Sequence, residues 1–200
     1  MIYPFDDHGA VTEKRLKKEY PRTWEYLQRH RKKLQQRKSV LSGKGPWWSP
    51  LWPREPETLL CSKILTPHIV IAPKFSFDSK GRVAVSHSPY IVMKEPFSEE
   101  ENLFTLAVLN STTCFWLITH HTHNYSRGYS RLEVATLRDV PIPNFAALDK
   151  RLRGRIISLT RDRLVSKGGD AIGIEKKIDL AVADAYGLSD EEREIVGLNY

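Results

Sequence analysis

Cysteine is nearly missing from this sequence: Cys61 and Cys114 are the only two in 200 residues, and no Cys-x-x-Cys spacing occurs. A disulfide framework and a four-cysteine zinc site are therefore out of reach, and a reducing cytoplasm is the expected compartment. Long apolar runs are lacking too. No stretch of eighteen apolar residues is present, and the first thirty residues are too polar for the core of an export signal, so neither a membrane-spanning nor an exported chain is expected. Clustered carboxylates beside a lysine, which a magnesium-dependent nuclease needs, are also absent. Glu175-Lys176-Lys177 has the Glu-x-Lys spelling, but it falls between Ile174 and Ile178 on an amphipathic helix and reads as a solvated face. His120, His121 and His123 sit too close in sequence to converge on one tetrahedral ion, so no metal is expected. No nucleophile-elbow sequence supports Ser-His-Asp catalysis.

What is abundant is positive charge in one place. Lys+Arg number 31 against 24 Asp+Glu, a net charge of +7, and residues Thr12 to Lys38 alone hold eleven Lys/Arg and three Glu. That segment carries +8, the rest of the chain is close to neutral, and a patch of this kind favours a polyanionic partner. Pro21 suits the first position of a helix, where its missing N–H is not needed. A helix over 21–38 puts Trp24, Leu27, Arg31 and Leu34 on one face, with Leu41 extending it, and leaves Arg22, Arg29, Lys32, Lys33 and Arg37 on the others. Phosphate binding needs several long cations on one surface, for which Arg29, Lys32 and Lys33 are the candidates; the alternative is a merely solvated face.

Elsewhere the pattern is mixed. A short extended piece, Ile2 to Phe5, and a brief helix from Thr12 precede the basic segment, and Ser42 to Pro46 reads as a linker. Trp47, Trp48 and Trp52 follow in a proline-rich loop that must be pinned onto something. Ile64-Leu65 and Ile69 to Ile71 read as strands, Asp78 to Gly81 as the turn of a hairpin between Phe75/Phe77 and Val83/Val85, and Tyr90 to Met93 as a further strand. Ser98 and Glu101 spell a capping box ahead of Leu103, Leu106, Ala107 and Asn110, whereas Cys114 to Ile118 fits helix or strand equally. After Pro143 two helical stripes follow, Phe145 to Leu159 and Ile174 to Ala185; Gly187 ends the second, and Ser189 with Glu192 caps a last helix. The expected class is α+β, a mixed or antiparallel sheet flanked by helices with a C-terminal helical segment. One domain is expected, with a basic helical lead over 1–41, a sheet-containing core over 42–143 and C-terminal helices over 144–200.

Reading bases, as opposed to gripping phosphates, takes donors on loops or strand ends that enter the major groove. Two segments offer them. One holds Lys74, Lys80, Arg82 and His87; the other holds Asn124, Arg127, Tyr129, Ser130 and Arg131, with Gly128 free to allow close approach.

Several short phrases recur in a telling order: Tyr26-Leu27, Leu34…Arg37, Trp47 or Trp48, Lys63-Ile64, Asp78…Gly81, Leu109-Asn110-Ser111, Tyr129…Arg131, Pro141-Ile142-Pro143 and Tyr186-Gly187-Leu188. In that order they resemble the TaqI-like C-terminal specificity domain of N6-adenine DNA methyltransferases and type IIG restriction-modification enzymes. The likeness spans nearly the whole chain, from Ile2 to Glu192. It implies a target-recognition module for double-stranded DNA, not an enzyme by itself, which clamps DNA with a methyltransferase domain while the target adenine is flipped out. Lys63 resembles the family's lysine at the start of the recognition sheet and so joins the candidate DNA contacts. Methyl transfer would also require a glycine-rich turn for S-adenosylmethionine and an Asn/Asp-Pro-Pro-aromatic loop. Neither is spelled here, since His87-Ser88-Pro89-Tyr90 has one proline and no leading Asn or Asp. The cofactor is accordingly expected in a partner methyltransferase domain or subunit. Met1 stands directly at the module, so a fragment, a split gene or a separate specificity subunit is expected. The alternatives are a small stand-alone nuclease and a non-catalytic protein-interaction scaffold.

Overall fold

The computed structural model describes residues 2–6, 8–50, 56–85, 87–93, 98–121, 124–125 and 128–199. The chain divides into two compact units, Met1–Cys61 and Ser62–Tyr200.

The first unit opens with a small antiparallel pair, β1 (Phe5–Asp6) and β2 (Gly9–Ala10), closed by Gly9 at φ 101°. Helix α1 (Glu13–Glu19) starts at Thr12, whose hydroxyl accepts the Arg15 N–H at 3.3 Å. The basic helix expected over 21–38 is in fact three pieces, α2 (Pro21–Arg29), α3 (Arg31–Gln35) and α4 (Lys38–Leu41). One cause is Arg37, which leaves helical geometry at ψ 134° and donates to Leu34 O (3.1 Å), Trp47 O (2.6 Å) and Ser49 O (2.8 Å). Those bonds bring the chain around so that Val11, Leu16, Leu27 and Trp47 form a small core with Trp24, Leu34, Val40 and Trp48 against it. Two of the three tryptophans are pinned as expected: Trp47 and Trp48 pack edge to face at 5.5 Å, and Trp48 Nε1 donates to Val11 O at 2.9 Å, while Trp52 lies outside the described residues. Val40 fills the place expected of Leu41, which is 74% exposed. Helix α5 (Pro56–Leu59) ends the unit.

The second unit is α+β, with two small antiparallel sheets. In one, β3 (Lys63–Leu65) lies between β5 (Ser76–Asp78) and β6 (Tyr90–Ile91); in the other, β8 (Tyr129–Arg131) lies between β4 (Ile69–Val70) and β7 (Asn124–Tyr125). The expected hairpin from Phe75 to Val85 is not formed. Asp78 accepts the N–H groups of Arg82 (3.0 Å) and Val83 (2.8 Å), so these donors close a turn instead of entering a ladder, and β5 pairs with β3.

Helix α6 (Glu99–Asn110) has the expected capping box, with the Ser98 hydroxyl accepting the Glu101 N–H and Glu101 accepting the Ser98 N–H. The ambiguous Cys114 run is helix α7 (Thr112–His121). Its start is fixed from two directions: Ser111 Oγ accepts Cys114 N–H at 3.1 Å, and Asp179 accepts both the N–H (2.7 Å) and the hydroxyl (2.8 Å) of Thr112. Helices α8 (Val134–Asp139), α9 (Lys150–Val165), α10 (Gly169–Tyr186) and α11 (Asp190–Ile195) complete the unit. Gly187 ends α10 in the left-handed conformation, φ 73°, and Ser189 with Glu192 forms the second capping box. The core joins Ile64, Val70 and Phe75 of the sheet side to Phe104, Val108, Ile118, Ile156 and Val182 of the helices. Among the described residues no single helix is long and apolar enough to cross a membrane, and the apolar pair α6 and α7, bent by 62°, supplies much of this core.

The two thiols have contrasting surroundings. Cys114 is fully buried, and burial pushes its thiol up to about 12. Cys61 is partly exposed. A disulfide reagent at mildly alkaline pH should therefore modify Cys61 in the native chain and Cys114 on the order of a thousandfold more slowly. Thiol titration with and without denaturant checks this; equal rates in the native state would place Cys114 at the surface.

Candidate nucleic-acid interface

The basic segment presents cations that the fold does not consume. Arg15 is paired with Asp6 and Glu19, Lys17 with Glu13 and over Trp24, and Arg37 holds the tryptophan loop, so these serve the first unit itself. Arg29 stands 3.9 Å from Glu25 with both side chains over 70% exposed, a pair that water screens almost completely. Lys32 and Lys33 on α3 are exposed and form no ion pair among the described residues. Arg31 is more constrained, its guanidinium 5.3 Å from the Trp47 ring. Of the sequence candidates here, Arg29, Lys32 and Lys33 keep surface available to a phosphate.

In the second unit, strand β8 sorts its residues by the two-residue period of a strand. Tyr129 and Arg131 are exposed, whereas Ser130 between them is 3% exposed and faces the core. Ser130 is therefore removed from the base-contacting candidates. Asn124 lies in β7 in register with Ser130, and Arg127 lies outside the described residues. Gly128 sits at φ 78°, a left-handed conformation suited to the short connection back from β7. Across β8 on the other side, Ile69 is in register with Arg131. The Arg131 Nε–H points to His68 Nε2 at 2.8 Å and lies 3.1 Å from the Glu133 carboxylate. The His68 and His87 rings stack at 5.8 Å and 21°. His87 and Arg131 are thus brought together through His68, a residue that the sequence offered no reason to choose, because it is 63 positions from Arg131.

Lys74, Lys80 and Arg82 are exposed, on the loop before β5 and the turn after it. Lys63 is not. It is 0% exposed, with its Nζ 3.2 Å from Asp78, and an ammonium with no surface cannot meet a phosphate or a base. Its role is to satisfy the carboxylate that shapes the turn at 78–83. Burial opposes ionisation of Asp78, but the N–H groups of Val83 and Arg82 and then Lys63 outweigh it, holding the carboxyl below its usual range.

The phrases that carry the resemblance likewise hold the scaffold. Asn110 imitates a strand edge: its Oδ1 accepts Phe75 N–H at 2.9 Å and its Nδ2 donates to Phe75 O at 3.0 Å, tying α6 to β5's approach. Ser111 makes the α6–α7 corner, and Tyr186 donates its hydroxyl to Pro141 O at 2.8 Å, joining the Pro-Ile-Pro segment to the end of α10. Among the described residues no group of His, Cys, Asp and Glu is arranged to hold a metal ion.

No protein-family model matches the chain. Its sequence is distantly similar to part of a type II methyltransferase. That protein is M.BanIII of Aneurinibacillus aneurinilyticus, 27% identical over 176 residues, an alignment covering 85% of this chain and 29% of the relative. The chain thus spans under a third of the methyltransferase it matches.

Proposed function

We propose that this chain is the sequence-reading part of an adenine-specific type II DNA methyltransferase or restriction-modification enzyme, and that it works on double-stranded DNA in the cytoplasm. The observation that carries this is the extent of the similarity: most of this chain aligns with a minor part of a methyltransferase. In this proposal the exposed cations of the first unit, Arg29, Lys32 and Lys33, bind phosphates without regard to sequence, and the exposed face of β8 supplies base contacts through Tyr129 and Arg131. S-adenosylmethionine and the flipped adenine belong to the methyltransferase part, with which this chain associates.

Binding of the chain to a duplex should be weak and fall steeply with salt, because each neutralised phosphate contributes about 0.9 to the slope of log K against log salt. Replacing Arg29, Lys32 and Lys33 together by Gln should lower that slope by roughly one for each phosphate no longer neutralised and weaken all sequences alike. Fluorescence anisotropy over a salt series measures it. An unchanged slope returns α2 and α3 to the role of a solvated face.

A further inference from the structure

The Arg131 side chain is held from one side only. Its Nε–H donates to His68 Nε2 at 2.8 Å and the Glu133 carboxylate lies 3.1 Å from the same nitrogen, while its two terminal amino groups make no hydrogen bond or ion pair among the described residues. A guanidinium nitrogen is always a donor, so His68 Nε2 must be the acceptor, which places the imidazole proton on Nδ1. The backbone supports that choice: His68 Nδ1 faces the carbonyl of His87 at 3.4 Å, an oxygen that can only accept. The ring also lies nearly parallel to that of His87, 21° apart in plane with centroids at 5.8 Å, and the His68 backbone carbonyl accepts Leu132 N–H at 2.8 Å next to Arg131. A single tautomer therefore satisfies both ring nitrogens, and the chain from the His87 carbonyl through His68 to Arg131 engages Nε and not the two terminal amino groups.

We infer that His68 is a positioning residue for sequence recognition, orienting Arg131 so that its two terminal amino groups meet a pair of acceptors on a base edge, the O6 and N7 of guanine. The inference rests on the DNA-reading function proposed above. Recognition of an acceptor pair by two parallel N–H groups depends on the direction of the guanidinium plane, whereas a phosphate contact tolerates rotation. Loss of the anchor should therefore blur sequence preference more than it weakens binding.

Two measurements on the full chain test this. In the first, which needs no DNA, nitrogen NMR at pH about 8, above the ordinary imidazole range, should show His68 Nε2 as the unprotonated ring nitrogen and a slowly exchanging Arg131 Nε–H. The opposite tautomer, or an Arg131 Nε–H that exchanges like those of free side chains, overturns the inference whatever the DNA result. In the second, preference between the selected duplex and its single-position variants is compared for the wild type, His68→Phe and His68→Gln. His68→Phe keeps an aromatic ring against His87 but has no acceptor; it should lose roughly tenfold in discrimination at one guanine position while binding to unrelated duplex changes little. His68→Gln restores an acceptor and should recover most of that loss. A merely structural role predicts lower thermal stability with the preference intact, and that outcome in His68→Phe overturns the inference while leaving the DNA-reading function standing. A wild-type chain with no preference between sequences removes the function proposed above and this inference with it.

Discussion

Replacing Lys63 by alanine should cost the second unit about 3 kcal/mol, because it leaves a largely enclosed Asp78 carboxylate with its turn N–H groups but without its ammonium. The pair is almost wholly enclosed, with the Lys63 side chain 0% and the Asp78 side chain 8% exposed. Against a typical domain stability of about 5–15 kcal/mol this is a large fraction. Combining Lys63→Met with Asp78→Asn should recover part of the loss, since an amide oxygen can still accept one of the two turn N–H groups and no charge is left buried. Asp78 also gives the unit an acid limit. Its carboxyl is held below its usual range in the folded state, so it contributes stability above about pH 4, the range of an unfolded aspartate, and that contribution is lost as pH falls through the lower folded value. Urea unfolding of the wild type and the variants at neutral and acidic pH measures both effects. A Lys63→Ala chain as stable as the wild type would mean that the ammonium reaches water.

Arg131→Ala should produce the largest change in recognition. An arginine donating two N–H groups to guanine contributes about 1–3 kcal/mol of discrimination, roughly 5- to 150-fold. Arg131 has the required features: it is half exposed, it sits at the end of the central strand of its sheet, and its anchors occupy only the Nε side. The variant should bind unrelated duplex nearly as well as the wild type and lose preference at one position of the target. Competition between the target duplex and its single-base variants reads this out. If binding falls uniformly and the preference is kept, Arg131 is a phosphate clamp, and base contacts fall to Lys74, Lys80, Arg82 and His87.

The parts of the fold that were legible in the sequence are those decided within a few residues. Ser98 with Glu101, Ser189 with Glu192, Thr12 and Gly187 each start or stop a helix through groups close by in the chain, and all four do so in the structure. The α+β class followed from such elements. What was not legible depends on distant partners. The run from Cys114 to Ile118 is helical in part because Asp179, 67 residues on from Thr112, caps the start of α7. The expected hairpin at 75–85 gives way because the Asp78 side chain takes N–H groups that a ladder would need. Lys63 joined the DNA-contact candidates only through its resemblance to a family lysine at the start of the recognition sheet; its burial is legible only once β3 is flanked by β5 and β6. His68 carries no signal of its own, since its role comes from the register of β4 against β8.

The central claim is that this chain reads DNA sequence, and selection from a randomised duplex library by the wild-type chain at low salt tests it most directly. Sequencing of the bound fraction should show one enriched motif. That motif should persist when Arg29, Lys32 and Lys33 are replaced by Gln, although less DNA is retained, and should blur at one position in Arg131→Ala. Retention of DNA with no motif enriched over the starting library would contradict it, leaving a basic surface that binds phosphates and reads nothing.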